Sequence, residues 1–262
     1  MTRSAGRAAL ILVGHGSSGH ADAAAPIKAL ADGIRARARF AEVAAVFLKN
    51  PPAAERALDM VGADVAVVVP VFTGRGYYTD TLIPRAMGLA GAVTRRGNRT
   101  VLYTPPVGEH PRLPLLLAGR ARAAAAAAGF DPGTSTVLLI AHGSSRPGGA
   151  GATPRAIAAA IAGQAIFAET VLAFLEQDPK AAEWPSLVTH RDVVVLPLLV
   201  AQGMHASEDI PPLFGGGRGT DAAAPAEPSG HRVRIVAGIG AEPELVDIVV
   251  AMAEAALATA SV

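Results

Sequence analysis

The chain has no cysteine among its 262 residues. Disulfides and thiolate metal ligands are therefore excluded, and any metal chemistry must use histidine, carboxylates or backbone oxygen. That absence alone does not fix the compartment. Net charge is nearly absent too, at +1 from 23 basic and 22 acidic residues. A general nucleic-acid or polyanion binder carries a strong basic excess, so that class is not expected, although local basic clusters remain open. Long hydrophobic runs are missing: none approaches the ~20 residues needed to span a bilayer. The opening "MTRSAGRAALILVGHGSS" has basic residues and then only a short apolar stretch before Gly14. A secretory signal needs roughly 7–15 apolar residues at that place. These absences predict a soluble cytoplasmic protein with no membrane or nucleic-acid partner.

Apolar residues are abundant, at 51%, so a core is easily buried. The chain also repeats itself at a shift of 127 residues. "AALILVGHGSS" falls on "TVLLIAHGSS", and "FAEVAAVFLKNPP" (Phe40 to Pro52) falls on "FAETVLAFLEQDP" (Phe167 to Pro179). "DVAVVVPVFTGRGYYTDTLIP" falls on "DVVVLPLLVAQGMHASEDIP", with Pro70, Gly76 and Pro84 meeting Pro197, Gly203 and Pro211. Matches anchored this way without a gap indicate duplication. After Pro211 the register slips by five, within the Gly-, Pro- and Ser-rich "GGGRGTDAAAPAEPSG", which reads as a surface loop.

Each half has the same order of elements. A short strand leads through a Gly/Ser turn to an Ala-rich helix, and a second strand leads to a short helical stretch. A third strand ends in proline. A turn, a helix, a fourth strand and a long last helix follow. The strands are continuous Val/Ile/Leu runs, as in parallel strands covered on both faces. Strands alternating with helices predict α/β sheets with right-handed crossovers. The expectation is two similar α/β domains, 1–130 and 131–262, each with a mostly parallel four-stranded sheet flanked by helices. They join near "GFDPGTST".

Ligands of open α/β sheets bind beyond the carboxyl ends of the strands. With strand order 2-1-3-4, residues just past strands one and three would share a site. Half one offers His15 after strand one, but Tyr78 holds the place that His205 holds in half two. Half two offers both His142 and His205. Glu208 and Asp209 follow His205 by three and four residues, so on a helical turn both carboxylates lie on its side. Their half-one counterparts are the uncharged Thr81 and Leu82. Asp209 before "IPP" also fits an N-cap. The Gly-Ser-Ser turns fit either an anion cradle or a tight turn that needs small residues. His110, after strand four, is an outside candidate on the same rim. His190 and His231 precede strands at the opposite rim and are expected to be solvated.

The combination of a strand ending in His-Gly-Ser, then Val-Val-Pro, then Gly-x-His-x-x-x-Asp-Ile-Pro resembles the sirohydrochlorin cobaltochelatase and ferrochelatase family. These are the small ATP-independent class II tetrapyrrole chelatases. The resemblance covers nearly the whole chain and is closest to the long, fused members. It implies two chelatase-like domains facing each other across an active cleft, and a monomer that takes sirohydrochlorin and a divalent metal as substrates. It carries the metal-handling histidines to His142 and His205, and the acidic residue to Asp209, with Glu208 beside it. His15 matches the first histidine in the other half, where the second is missing. No cofactor is implied beyond the metal substrate, Co2+, Fe2+ or Ni2+, and no ATP.

Metal insertion into the ring displaces two pyrrole N–H protons, so the site needs loose ligands and a base. Imidazole suits these metals, and its ordinary pKa of about 6.5 lets it do either task. A nearby carboxylate can steer metal, take a proton or orient the ring. The substrate carries many carboxylates, for which Arg75, Arg146 and the turn residues Ser17, Ser144 and Ser145 are the candidates. Arg75 and Arg146 also read as ordinary surface arginines. The alternative function is a non-catalytic metal or tetrapyrrole carrier with a degenerate chelatase fold. Histidine phosphotransfer would need an arginine before the histidine, where Gly14 and Ala141 stand. The "GHGSSG" spacing does not fit the Gly-x-Ser-x-Gly elbow of serine hydrolases.

Overall fold

The computed structural model describes residues 5–17, 24–144, 151–199, 210–215 and 228–260. Their elements run β1 (Ala9–Gly14), α1 (Ala25–Ala36), β2 (Glu42–Phe47), β3 (Val65–Pro70), α2 (Ile83–Met87), β4 (Val93–Arg96), β5 (Arg99–Tyr103) and α3 (Leu113–Ala127). The second series is β6 (Ser135–Ala141), α4 (Ala152–Ala162), β7 (Glu169–Phe174), α5 (Trp184–Leu187), β8 (Asp192–Pro197), α6 (Ile210–Leu213), β9 (Arg232–Ile235) and α7 (Pro243–Ala260). No described helix is long and apolar enough to cross a membrane.

Two mostly parallel sheets result, ordered β2-β1-β3-β5-β4 and β7-β6-β8-β9. All residues of β1 and β6 are buried, as continuous apolar runs require when helices cover both faces. α1 begins at a proline-bearing first turn and buries Ile27, Leu30, Ala31 and Ile34, the i, i+3, i+4, i+7 stripe of a helix lying on a sheet. The second core is built around Trp184, fully enclosed, with its indole N–H donating to the Leu213 carbonyl at 2.9 Å.

The first sheet has five strands rather than the expected four. β4 pairs antiparallel with β5 across a tight turn in which Gly97 takes φ +62°. Only a residue without Cβ adopts that conformation freely. The other departure concerns the last helices. The chain forms two compact units, one of residues 1–110 with 240–262 and the other of 111–239. They are cut differently from the sequence halves 1–130 and 131–262, because each half's last helix packs in the other unit. α7 packs on α1, β3 and β5, while α3 packs on α4, β8 and β9.

Two surface ion pairs accompany the pairing. Asp247 of α7 meets Arg37 at 2.6 Å and Glu254 meets Arg39. The corresponding positions of α3 hold Leu115 and Arg122, which would leave one arginine unmatched and repel the other. In the second unit Gln164, in place of Arg37, donates to the Pro114 carbonyl of α3 at 3.3 Å.

Candidate functional site

Both HGS turns follow the same construction. β1 and β6 end at the rim, and the histidine is the first residue past the strand. The next glycine, Gly16 or Gly143, takes φ +69° or +76°. A Cβ there would lie 1.9 Å from Asn50 Oδ1, or 2.8 Å from Gln177 Cγ. Those two amides close the turns: Ser17 N–H donates to Asn50 Oδ1 at 3.1 Å, and Ser144 N–H donates to Gln177 Oε1 at 2.9 Å. An anion cradle therefore loses the donor of the first serine in each turn, which favours the tight-turn reading for Ser17 and Ser144. Ser145 and Arg146 lie outside the described residues, as do His205, Glu208 and Asp209.

The turn also orients each histidine ring. His15 Nδ1 lies 2.8 Å from the Gly16 carbonyl, and His142 Nδ1 lies 3.3 Å from the Gly143 carbonyl. A carbonyl only accepts, so in the neutral ring this contact draws the proton to Nδ1 and makes Nε2 the nitrogen able to ligate, the arrangement a metal-ligating imidazole uses.

The halves then differ. His142 Nε2 stands 3.7 Å from Glu176 Oε1, a carboxylate at the end of β7, beside β6. Two donors each about 2.1 Å from one cation lie roughly 3.0–3.6 Å apart, so this pair is close to the spacing of two ligands. The matching residue of half one is Lys49. Glu176 carries no motif of its own in the sequence, where it stands in the plain strand-end segment "FLEQDP". The Lys49-to-Glu176 charge reversal, two residues past β2 and β7, was the signal. Among the described residues no three His, Asp or Glu side chains converge as a metal cluster.

Strand neighbourhood is as expected, with β1 beside β3 and β6 beside β8. In half one it brings the residues past strands one and three together: the rings of His15 and Tyr78 meet edge-on at 4.8 Å between centroids. Tyr78 begins a wide five-residue π-turn, Tyr78–Leu82, that runs into α2. Arg75, expected to face substrate carboxylates, is held by its own unit. Its Nε donates to Glu109 at 2.6 Å and its Nη1 lies 3.6 Å from Asp80. The hydrogen bond to Glu109 raises the guanidinium pKa further. Glu109 directly precedes His110 on this rim.

At the opposite rim His190 and His231 are half-buried and hydrogen-bonded rather than solvated. His231 Nδ1 lies 3.0 Å from the His190 carbonyl, and its ring edge meets Trp184. His190 lies 3.5 Å from Glu169. Burial alone would raise the Glu169 carboxyl, but hydrogen bonds from Thr136, Thr189 and His190 outweigh it and hold it below its ordinary value.

Comparison with known proteins covers both halves. A protein-family model described as CbiX matches residues 9–124 and again 136–256. A protein of Halobacterium salinarum named "Probable sirohydrochlorin cobaltochelatase" is 29% identical over 260 residues, covering 92% of this chain and 89% of that protein. A Deinococcus radiodurans structure, described as a multi-domain protein similar to chelatases with two additional novel domains, superposes with TM-score 0.76 at 30% identity. The match covers 94% of this chain but only 54% of that one. SirB from Bacillus subtilis, solved with Fe3+, has the same fold, with TM-score 0.72 at 19% identity and 97% of each chain covered.

Proposed function

Because the chain belongs to the CbiX family, we propose that it is a sirohydrochlorin chelatase, a lyase that inserts Co2+ or Fe2+ into the tetrapyrrole without ATP. One observation carries the reading: His142, its ring oriented by a backbone carbonyl, turns Nε2 toward Glu176 at 3.7 Å. A neutral imidazole and a carboxylate hold a divalent ion through few bonds, which suits an ion that must be given up. Insertion expels two pyrrole protons, and the same two groups can accept them. His205 belongs with them by the repeat, since its half-one counterpart Tyr78 lies against His15. Glu208 and Asp209 add carboxylates beside it in sequence. The Halobacterium relative's name supports the ring as substrate. We assign the protein to the cytoplasm as a monomer. Cobalt as the metal would serve cobalamin synthesis, and iron would serve siroheme synthesis.

The test is anaerobic. Protein is mixed with metal-free sirohydrochlorin and Co2+ or Fe2+, and the absorbance change on insertion is followed. A rate well above the uncatalysed one, lost in His142→Ala, is expected. Binding of ring and metal without acceleration would overturn the enzyme reading in favour of a carrier.

A further inference from the structure

The chain has three tyrosines, Tyr77, Tyr78 and Tyr103, and all three gather at the carboxyl ends of β3 and β5 in half one. Tyr77 and Tyr78 are 47% and 37% exposed, while most large apolar side chains are buried. Phe72 stacks on Tyr78 at 6.2 Å and 20° between planes, and Tyr77 meets Tyr78 at 6.1 Å. The counterparts of Phe72, Tyr77 and Tyr78 in half two are Leu199, Met204 and His205, none of them a large flat ring. We infer that this aromatic rim, with Lys49 past the end of β2 on the same edge of the sheet, binds the conjugated tetrapyrrole ring and its carboxylates. The inference rests on the chelatase reading and assigns half one's rim to the anionic ring rather than to the metal.

Three further observations support the assignment. First, the rim is held in place. Tyr103 donates its hydroxyl to the Thr79 carbonyl at 2.6 Å, and the buried Thr79 Oγ1 accepts the Gly76 N–H at 3.0 Å. The Tyr103 phenol is kept neutral by burial and by nearby Asp80. π-turns of this kind recur at functional sites, where they displace a side chain from regular helical spacing.

Second, the partly exposed rings of Tyr77 and Tyr78 offer a flat conjugated ligand offset-stacked or edge-on contact. Third, the charge past strand two is reversed between the halves. Lys49 is exposed where half two has Glu176, and the rim's carboxylates, Asp80 and Glu109, are both engaged by Arg75.

The experiment titrates metal-free sirohydrochlorin into the full-length chain under anaerobic conditions and compares Tyr78→Ala, Tyr78→Phe and Lys49→Glu. Co2+ alone is titrated in parallel. Tyr78→Ala and Lys49→Glu should each weaken ring binding by about tenfold, the scale of one lost stacking or charge contact. Tyr78→Phe should stay within about twofold, because stacking needs the ring and not the hydroxyl. Co2+ affinity should be unchanged in all three, and KM for the ring should rise with little change in kcat.

Ring affinity equal to the parent's in both Tyr78→Ala and Lys49→Glu overturns the inference. A parallel loss of Co2+ binding overturns it as well, since half one would then hold metal. If Tyr78→Ala does not fold, Lys49→Glu, at an exposed position, decides by itself. A parent that binds no sirohydrochlorin overturns this inference and the chelatase reading together. A parent that inserts metal while the variants bind the ring normally overturns this inference alone.

Discussion

The two HGS turns share one scaffold and carry different chemistry. Asn50 and Gln177 close them in the same way, and the histidines show the same nitrogen outward. Around that frame half one has Lys49 and Tyr78; half two has Glu176 for Lys49, and in the sequence His205 for Tyr78. Duplication preserved the parts that fix the backbone and let the neighbouring side chains diverge. A histidine on a strand end is therefore not a site by itself; what stands two residues past the neighbouring strand decides what it can hold.

The largest expected break in this comparison is at the histidines. His142→Ala and His205→Ala should each lower the insertion rate by about a hundredfold or more, the usual weight of an acid–base or ligand group. His15→Ala should leave a readily measured rate, and equal loss in all three would erase the distinction between the halves. Next comes Glu176→Lys, which copies half one. Co2+ affinity measured by calorimetry should fall by about 10- to 100-fold, and less in Glu176→Gln. An unchanged affinity would remove Glu176 from the site.

Smaller effects separate scaffold from chemistry. Asn50→Ala and Gln177→Ala each strand a turn N–H and should cost about 1 kcal/mol in denaturant unfolding. Of the two, only Gln177→Ala should also slow insertion, because only its turn carries His142. The smallest effect lies at the far rim. The Glu169 carboxyl is lowered in the folded state, so its contribution is present above the unfolded value, near 4.3, and is lost as pH falls through the folded one. Glu169→Gln should destabilise by about 0.5 kcal/mol at neutral pH, and the gap in unfolding midpoint should close in acid. A gap that stays constant with pH would show that shape, not charge, is what Glu169 supplies.

Much of this was legible in the chain. Continuous apolar runs revealed the parallel strands, and the 127-residue shift revealed the duplication, because both follow from local side-chain type. His15 and His142 stand at the strand ends where the pattern put them. The antiparallel β4 was missed because "VTRRGNRT" is short and charged, and its pairing rests on the turn at Gly97. Glu176 was missed because its meaning comes from a neighbouring strand rather than its own segment. The exchange of last helices was missed because α3 and α7 both read as Ala- and Leu-rich partners for either sheet. Asp247 and Glu254, set against Arg37 and Arg39, mark α7 as the partner of α1, and those contacts span more than 200 residues.

That exchange has a consequence for the order in which the protein is made. The second unit is one unbroken stretch of chain and has all its parts once residue 239 has emerged. The first unit begins earlier on the ribosome yet must wait for α7, leaving the sheet face covered by Leu245, Ile248 and Val249 open during synthesis. The half that is translated first is thus the half that is finished last.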